Sequence, residues 1–141
     1  GRRLIKAPKL YFCDNGLIAA LLNIDSANAM EKSPYLGNLW ENFVFCELIK
    51  NGYVVGKNLF FFRDQNGVEI DFITEKSGKT MLIEAKYAER PDAKKLNFRK
   101  IAPLFSGEVS KFCACSITES RVIQLKDFSL YNPLLGVKPS S

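Results

Sequence analysis

The stretch from Leu59 to Tyr87 reads LFFFRDQNGVEIDFITEKSGKTMLIEAKY, and its pattern decides the fold. Leu59 to Arg63 is a short apolar and aromatic run of strand composition. Asp64-Gln65-Asn66-Gly67 follows, with the Asn-Gly pair that tight hairpins favour. Val68 to Glu75 then alternates, so Val68, Ile70 and Phe72 are expected on one face and Glu69, Asp71 and Ile73 on the other. A second turn at Lys76–Lys79 leads into Met81 to Tyr87, which carries Leu82, Glu84 and Lys86 on one face. The expectation is a three-stranded antiparallel meander.

Before it, Leu36 to Lys50 reads as a helix. Leu36, Leu39, Trp40, Phe43, Val44, Cys46, Leu48 and Ile49 give it a wide apolar stripe, and Asn51-Gly52 ends it. Two acids, Glu41 and Glu47, ride on this otherwise apolar element. Further upstream, Lys9 to Cys13 is a strand candidate. Asp14 is placed to cap a helix bearing Leu17, Ile18, Leu21 and Leu22, and Asn23 to Pro34 is loop-like. After the meander, Asp92 to Phe105 is expected as a helix that Pro103 must kink or end. Lys111–Ile117 and Val122–Leu125 read as two more strands, and Asn132–Ser141 as an irregular tail. This order predicts an α/β fold in a single domain spanning residues 1–141, with a mixed central sheet flanked by helices.

The length of 141 residues suits one domain with a sizeable core. The longest mainly apolar run, Gly16 to Leu22, is far short of a bilayer span, and no signal peptide is visible. No membrane association is expected, and the expected location is the cytoplasm. The chain begins at Gly1 without a Met and is expected to be a fragment of a longer protein. The four cysteines, Cys13, Cys46, Cys113 and Cys115, lack zinc-site spacing and read as buried free thiols in a reducing compartment. The net charge of +5 favours a polyanionic partner.

The chain contains no His, which excludes Ser-His-Asp and Cys-His catalysis within it. A general base must be a carboxylate, a Lys, a Tyr or metal-bound water. Ser77-Gly78-Lys79-Thr80 resembles the end of a phosphate-binding loop. That motif needs a Gly where Ile73 stands, so the segment is a turn.

The informative constellation is Asp71 with Glu84-Ala85-Lys86. Glu84 and Lys86 share a strand face because the strand period is two, and pairing of adjacent strands can bring Asp71 level with them. Two carboxylates and one ammonium are then expected within about 6 Å of one another. Hard divalent cations prefer oxygen ligands, and Mg²⁺ takes one or two carboxylates plus water. Asp71 and Glu84, with the Ala85 carbonyl, are therefore candidate ligands for Mg²⁺ or Mn²⁺. Lys86 is the candidate for orienting or deprotonating the attacking water. The plain alternative for each of these side chains is a solvated strand face.

Ile70-Asp71 followed by Glu84-Ala85-Lys86, after a helix bearing Glu41, resembles the PD-(D/E)XK nuclease signature. The flanking motifs are Lys9-Leu10-Tyr11-Phe12, Leu39-Trp40-Glu41-Asn42-Phe43-Val44, Glu69-Ile70-Asp71-Phe72 and Ile83-Glu84-Ala85-Lys86. Together they resemble the uncharacterised C-terminal domain that follows AAA-type ATPase modules in many bacteria and archaea. The resemblance covers roughly residues 6–130. It implies a restriction-endonuclease-like core, DNA as partner, and an ATPase module elsewhere in the protein. It also implies that Glu41 helps to hold the metal water. Ile70 stands where the name-giving Pro would be. Lys94, Lys95, Arg99 and Lys100 occupy the helix on which some nuclease branches carry a Gln, and they suit phosphate-backbone contacts; a solvated helix face is their alternative. The functional expectation is a Mg²⁺-dependent nuclease-like domain. The alternatives are an inactive relic that binds DNA or tethers the ATPase to a partner, and a docking domain without nucleic-acid affinity. The sequence leaves the oligomeric state open.

Overall fold

The computed structural model describes residues 4–5, 11–13 and 34–140. Its sheet contains β1 (Leu4–Ile5), β2 (Leu59–Arg63), β3 (Glu69–Lys76), β4 (Lys79–Ala85), β5 (Glu108–Ala114), β6 (Ile123–Gln124) and β7 (Ser129–Tyr131). The seven strands lie in the order β1-β2-β3-β4-β5-β7-β6. Pairing is antiparallel from β1 to β4, parallel for β4 with β5 and β5 with β7, and antiparallel for β7 with β6. The sheet is therefore mixed, as expected.

The meander forms because its turns are locally encoded. Ser77 and Gly78 both take positive φ (54° and 76°) and close a two-residue loop between the paired Lys76 and Lys79. In the preceding loop, Asp64 Oδ1 accepts the N–H groups of Asn66 and Val68 at 2.8 Å each. Helix α1 (Pro34–Lys50) ends where Gly52, at φ 96°, turns the chain and the Tyr53 N–H returns to the Leu48 carbonyl.

The sheet is covered on both faces. On one, Leu36, Trp40, Phe43, Val44 and Leu48 of α1 pack with Phe61, Phe72, Met81, Ile83, Phe112 and Tyr131. On the other, Phe98 and Ile101 of the short helix α2 (Phe98–Ile101) pack with Phe62, Ile70, Ile73 and Leu82. Central strand β4 is buried along both faces from Thr80 to Ala85.

Several expectations change. The strict alternation of Val68–Glu75 does not hold. Phe60 pairs with Ile73 and Phe62 with Ile70, so Asp71 and Phe72 together oppose the single residue Phe61. This is a β-bulge. It carries Phe72 into the α1-side core and leaves Ile70 and Ile73 in the opposite one. The continuous helix expected over Asp92–Phe105 is instead a 3₁₀ turn (Ala93–Lys95), an extended Leu96, the four-residue α2 and a second 3₁₀ turn (Ala102–Leu104). Leu96 packs into the core, and the Asn97 N–H bonds to Glu84 rather than to a helix carbonyl. Strand β7 falls in a stretch with no expected strand. The tail starts in order: Asn132 is buried, and its amide donates to the Ile117 carbonyl at 2.8 Å. Tyr11–Cys13 is irregular backbone rather than strand, and the helix expected after Asp14 lies outside the described residues.

Candidate carboxylate site

The site lies where β3 and β4 part. Their ladder pairing reaches Phe72 with Ile83, and there the Asp71 side chain takes over. Its Oδ2 accepts the Ala85 N–H at 2.8 Å. The same carboxyl also meets α1, where it is hydrogen-bonded with Glu41. Two carboxyl groups hydrogen-bond only if one holds a proton. Burial first, and then the charge of Glu41, push the Asp71 carboxyl well above the usual carboxylate range, which favours its protonated form. The bulge accounts for the reach, because it turns Asp71 with Phe72 towards α1.

Glu41 is 9% exposed and is tied a second time by the Tyr11 hydroxyl, which donates to Oε2 at 2.8 Å. The Tyr11 ring stacks on Phe45 with centroids 4.4 Å apart. Burial, then Glu41, push the Tyr11 phenol far above its ordinary value, so it stays protonated and donates. Asn42 holds the next residue on both sides. Its Oδ1 accepts the Phe12 N–H at 2.7 Å, and its Nδ2 donates to the Phe12 carbonyl. Cys46 Sγ donates to the same carbonyl at 3.1 Å.

Glu84 is buried, and its Oε2 accepts the Asn97 N–H at 2.8 Å. Asn97 Nδ2 in turn donates to the Glu69 carbonyl at 2.9 Å. Burial raises the Glu84 pKa; the Asn97 N–H and Lys86 oppose that shift, and Glu41 and Glu69 add to it. Lys86 is half-buried and close enough to stabilise the Glu84 charge, although the ion pairs among the described residues do not include it. Its backbone N–H donates to the Ala114 carbonyl at 2.9 Å, and that carbonyl also accepts Trp40 Nε1 at 2.9 Å. One carbonyl thus joins α1, β5 and the end of β4. Each polar or aromatic residue of Trp40-Glu41-Asn42 has a distinct partner.

Asp71, Glu84, Lys86 and Glu41 therefore converge on one end of the sheet. Asp71 and Glu41 are in direct contact, while Glu84 follows the parity of Leu82 towards the face opposite α1. Among the described residues, no group of three or more acidic or Cys side chains is already disposed to hold a metal ion. The Asp71 and Glu84 oxygens instead accept backbone N–H groups. Lys94, Lys95, Arg99 and Lys100 are all exposed beside Asn97, and Arg99 pairs with Asp127 at 3.0 Å. Tyr11, Asn42 and Asn97 complete the site. Sequence reasoning passed over them because their partners lie 13 to 30 residues away. The signal for Tyr11 in the sequence is its place in Lys9-Leu10-Tyr11-Phe12, one of the motifs that carry the family resemblance.

No helix among the described residues is long and apolar enough to cross a membrane. All four cysteines are free; three are buried as expected, while Cys13 is exposed.

No solved structure matches the chain. Two curated relatives, uncharacterized proteins of Mycobacterium bovis and Mycobacterium tuberculosis, are each 32% identical over 116 residues, which is 77% of this chain. The matched region is 26% of each relative, so the chain spans about a quarter of their length. A family model described as a domain of unknown function, DUF4143, matches residues 36–128, from the first turn of α1 to the residue before β7, and the chain belongs to that family.

Proposed function

We propose that this domain is a Mg²⁺- or Mn²⁺-dependent nuclease-like module. It acts on DNA, has a restriction-endonuclease-like core, and serves as the effector of an AAA-type ATPase module in the longer protein. The observation that carries the reading is the convergence of Asp71, Glu41 and Glu84 with Lys86 where β3 and β4 separate. Burial first, and then neighbouring carboxylate charge, raise the pKa of Asp71 and of Glu84, and such buried acids are costly unless something cationic is meant to join them.

The donor set fits a hard divalent cation in kind. Asp71 and Glu84 offer carboxylate oxygens, and the Ala85 carbonyl follows Glu84 on the same strand, while the Cys113 thiol is buried beside Glu84 on the neighbouring strand. When bound, the cation supplies Lewis acidity towards a phosphate oxygen and a water. The chain's own residues do the rest. Asp71 must give up the proton it shares with Glu41, which leaves Glu41 as an acceptor able to orient a water. Lys86, held by Ala114 at its backbone, places an ammonium beside Glu84 to offset phosphate charge. Lys94, Lys95 and Lys100 are exposed nearby for backbone phosphates.

The second reading is a nuclease relic that binds DNA or tethers the ATPase. It is favoured by the internal hydrogen bonds that already occupy Asp71 and Glu84. Nicking of supercoiled DNA separates the two. The active reading expects Mn²⁺-dependent nicking by the parent and none by Lys86→Ala. DNA binding without nicking by either protein would leave the relic.

A further inference from the structure

The site is closed by a segment that belongs to neither the sheet nor α1. Tyr11–Cys13 lies along α1, and its backbone is gripped by Asn42 at both the N–H and the carbonyl of Phe12, with Cys46 on the same carbonyl. That grip is unusual for an exposed residue, since the Phe12 side chain is 64% exposed and offers little burial of its own. The gripped segment delivers one side chain inward. Tyr11 stacks on Phe45 and reaches Glu41, which bonds to Asp71, which accepts the Ala85 N–H.

We infer that Tyr11 is a positioning residue for Glu41, and that Asn42 is the clamp whose grip on Phe12 makes the carboxylate site depend on docking of the Tyr11–Cys13 segment. The contacts run in sequence from α1 through the segment to the sheet, with Cys46 also on the Phe12 carbonyl and Phe45 stacked on Tyr11. Asn42 fixes Phe12, Phe12 fixes Tyr11, and the Tyr11 hydroxyl selects the Glu41 orientation that faces Asp71. Asn42 points towards the segment and Glu41 towards the sheet, so neighbouring residues of one helix hold the two ends of this relay. Undocking the segment would loosen Glu41 and, through Asp71, the Ala85 N–H. Anything attached upstream that pulls on residues 11–13 thereby acquires a handle on the site. The functional meaning of this coupling rests on the proposed metal-site reading; the coupling itself does not.

Amide hydrogen exchange of the metal-free chain tests it without reference to any ligand. Three proteins are compared: the parent, Tyr11→Phe, which keeps the stacked ring, and Asn42→Ala. Buried amides of Val44 and Leu82 report global stability. Asn42→Ala is expected to speed exchange of both the Phe12 and Ala85 amides by about tenfold, the scale of one hydrogen bond, with Val44 and Leu82 unchanged. Tyr11→Phe should speed Ala85 and leave Phe12 protected. The double variant should expose Ala85 no further than Asn42→Ala alone, because both changes break the same sequence of contacts. Ala85 protection that is unmoved in either single variant, or losses that add in the double variant, would overturn the inference. Mn²⁺ binding is scored separately. A chain that shows the exchange pattern but binds no Mn²⁺ keeps the coupling and loses the metal-site reading.

Discussion

The Asp71 carboxyl spans the point where β3 and β4 part, accepting the Ala85 N–H at 2.8 Å and hydrogen-bonding to Glu41 as well. A side chain has replaced the next ladder hydrogen bond of the sheet. It holds the strands at a fixed separation while keeping a carboxyl at their fork. The bulge at Asp71–Phe72 makes this possible, since a regular strand would have turned consecutive residues to opposite faces.

Asp71→Asn should therefore be tolerated. An Asn carbonyl can accept the Ala85 N–H, and its amide can donate to Glu41, reproducing the protonated acid. Asp71 has its pKa raised in the fold, so the stability it contributes is full below the unfolded value near 3.8 and is lost as pH rises through the folded value. The parent should weaken as pH rises above the unfolded value near 3.8 towards the raised folded value, and the variant should weaken less. At neutral pH the variant is expected to equal the parent or exceed it by up to about 1 kcal/mol. Urea denaturation across that range measures it. A variant destabilised by several kcal/mol would mean that Asp71 is an ordinary ion-pair partner.

The basic residues differ in availability. Lys94, Lys95 and Lys100 are exposed, whereas Arg99 already has Asp127 at 3.0 Å. Reversing the three lysines should weaken DNA binding across all sequences and flatten the log–log salt slope by roughly 0.9 for each phosphate left unneutralised. Reversing Arg99 should cost less than any one of them. Titrations at several salt concentrations check this, and an unchanged slope in the triple variant would return the lysines to a solvated face.

Thiol chemistry should discriminate among the cysteines. Cys13 is exposed, while Cys46 is buried and its thiol is pushed up to about 12 by burial first and by a hydrogen bond with Cys13 second. Cys113 and Cys115 are buried under Leu130. The native chain should release one equivalent of chromophore from an aromatic disulfide reagent, and all four only after denaturation. Rapid reaction of a second thiol in the native chain would place Cys46 at the surface.

Local chemistry explains which parts of this structure were legible in the sequence. Leu59–Arg63 and the two turns of the meander follow from the apolar run, Asp64–Gly67 and Ser77-Gly78. Helix α1 follows from a stripe too wide to be anything but core-facing. The bulge was not legible, because two-residue periodicity cannot signal an extra residue. Nor was the break at Leu96-Asn97, where the Asn97 N–H is committed to Glu84 across 13 residues and a tertiary bond overrides helix periodicity. Strand β7 has three residues and depends on β5 and β6 for its partners. At the site, residue types were legible at Asp71, Glu84, Lys86 and Glu41. The direct contact of Asp71 with Glu41, rather than a shared face with Glu84, depends on the bulge and on a helix well upstream of the meander.

The claim that this fork of carboxyls is a cation site is tested most directly by metal-dependent stability. The parent and Asp71→Asn are unfolded in urea with and without Mn²⁺, using zinc-free buffers. At about 10 mM metal and a dissociation constant of about 1 mM, binding would stabilise the parent by roughly 1.4 kcal/mol. The variant lacks the carboxylate and should gain little. A parent with no metal-dependent gain, or a variant that gains as much as the parent, would contradict the site.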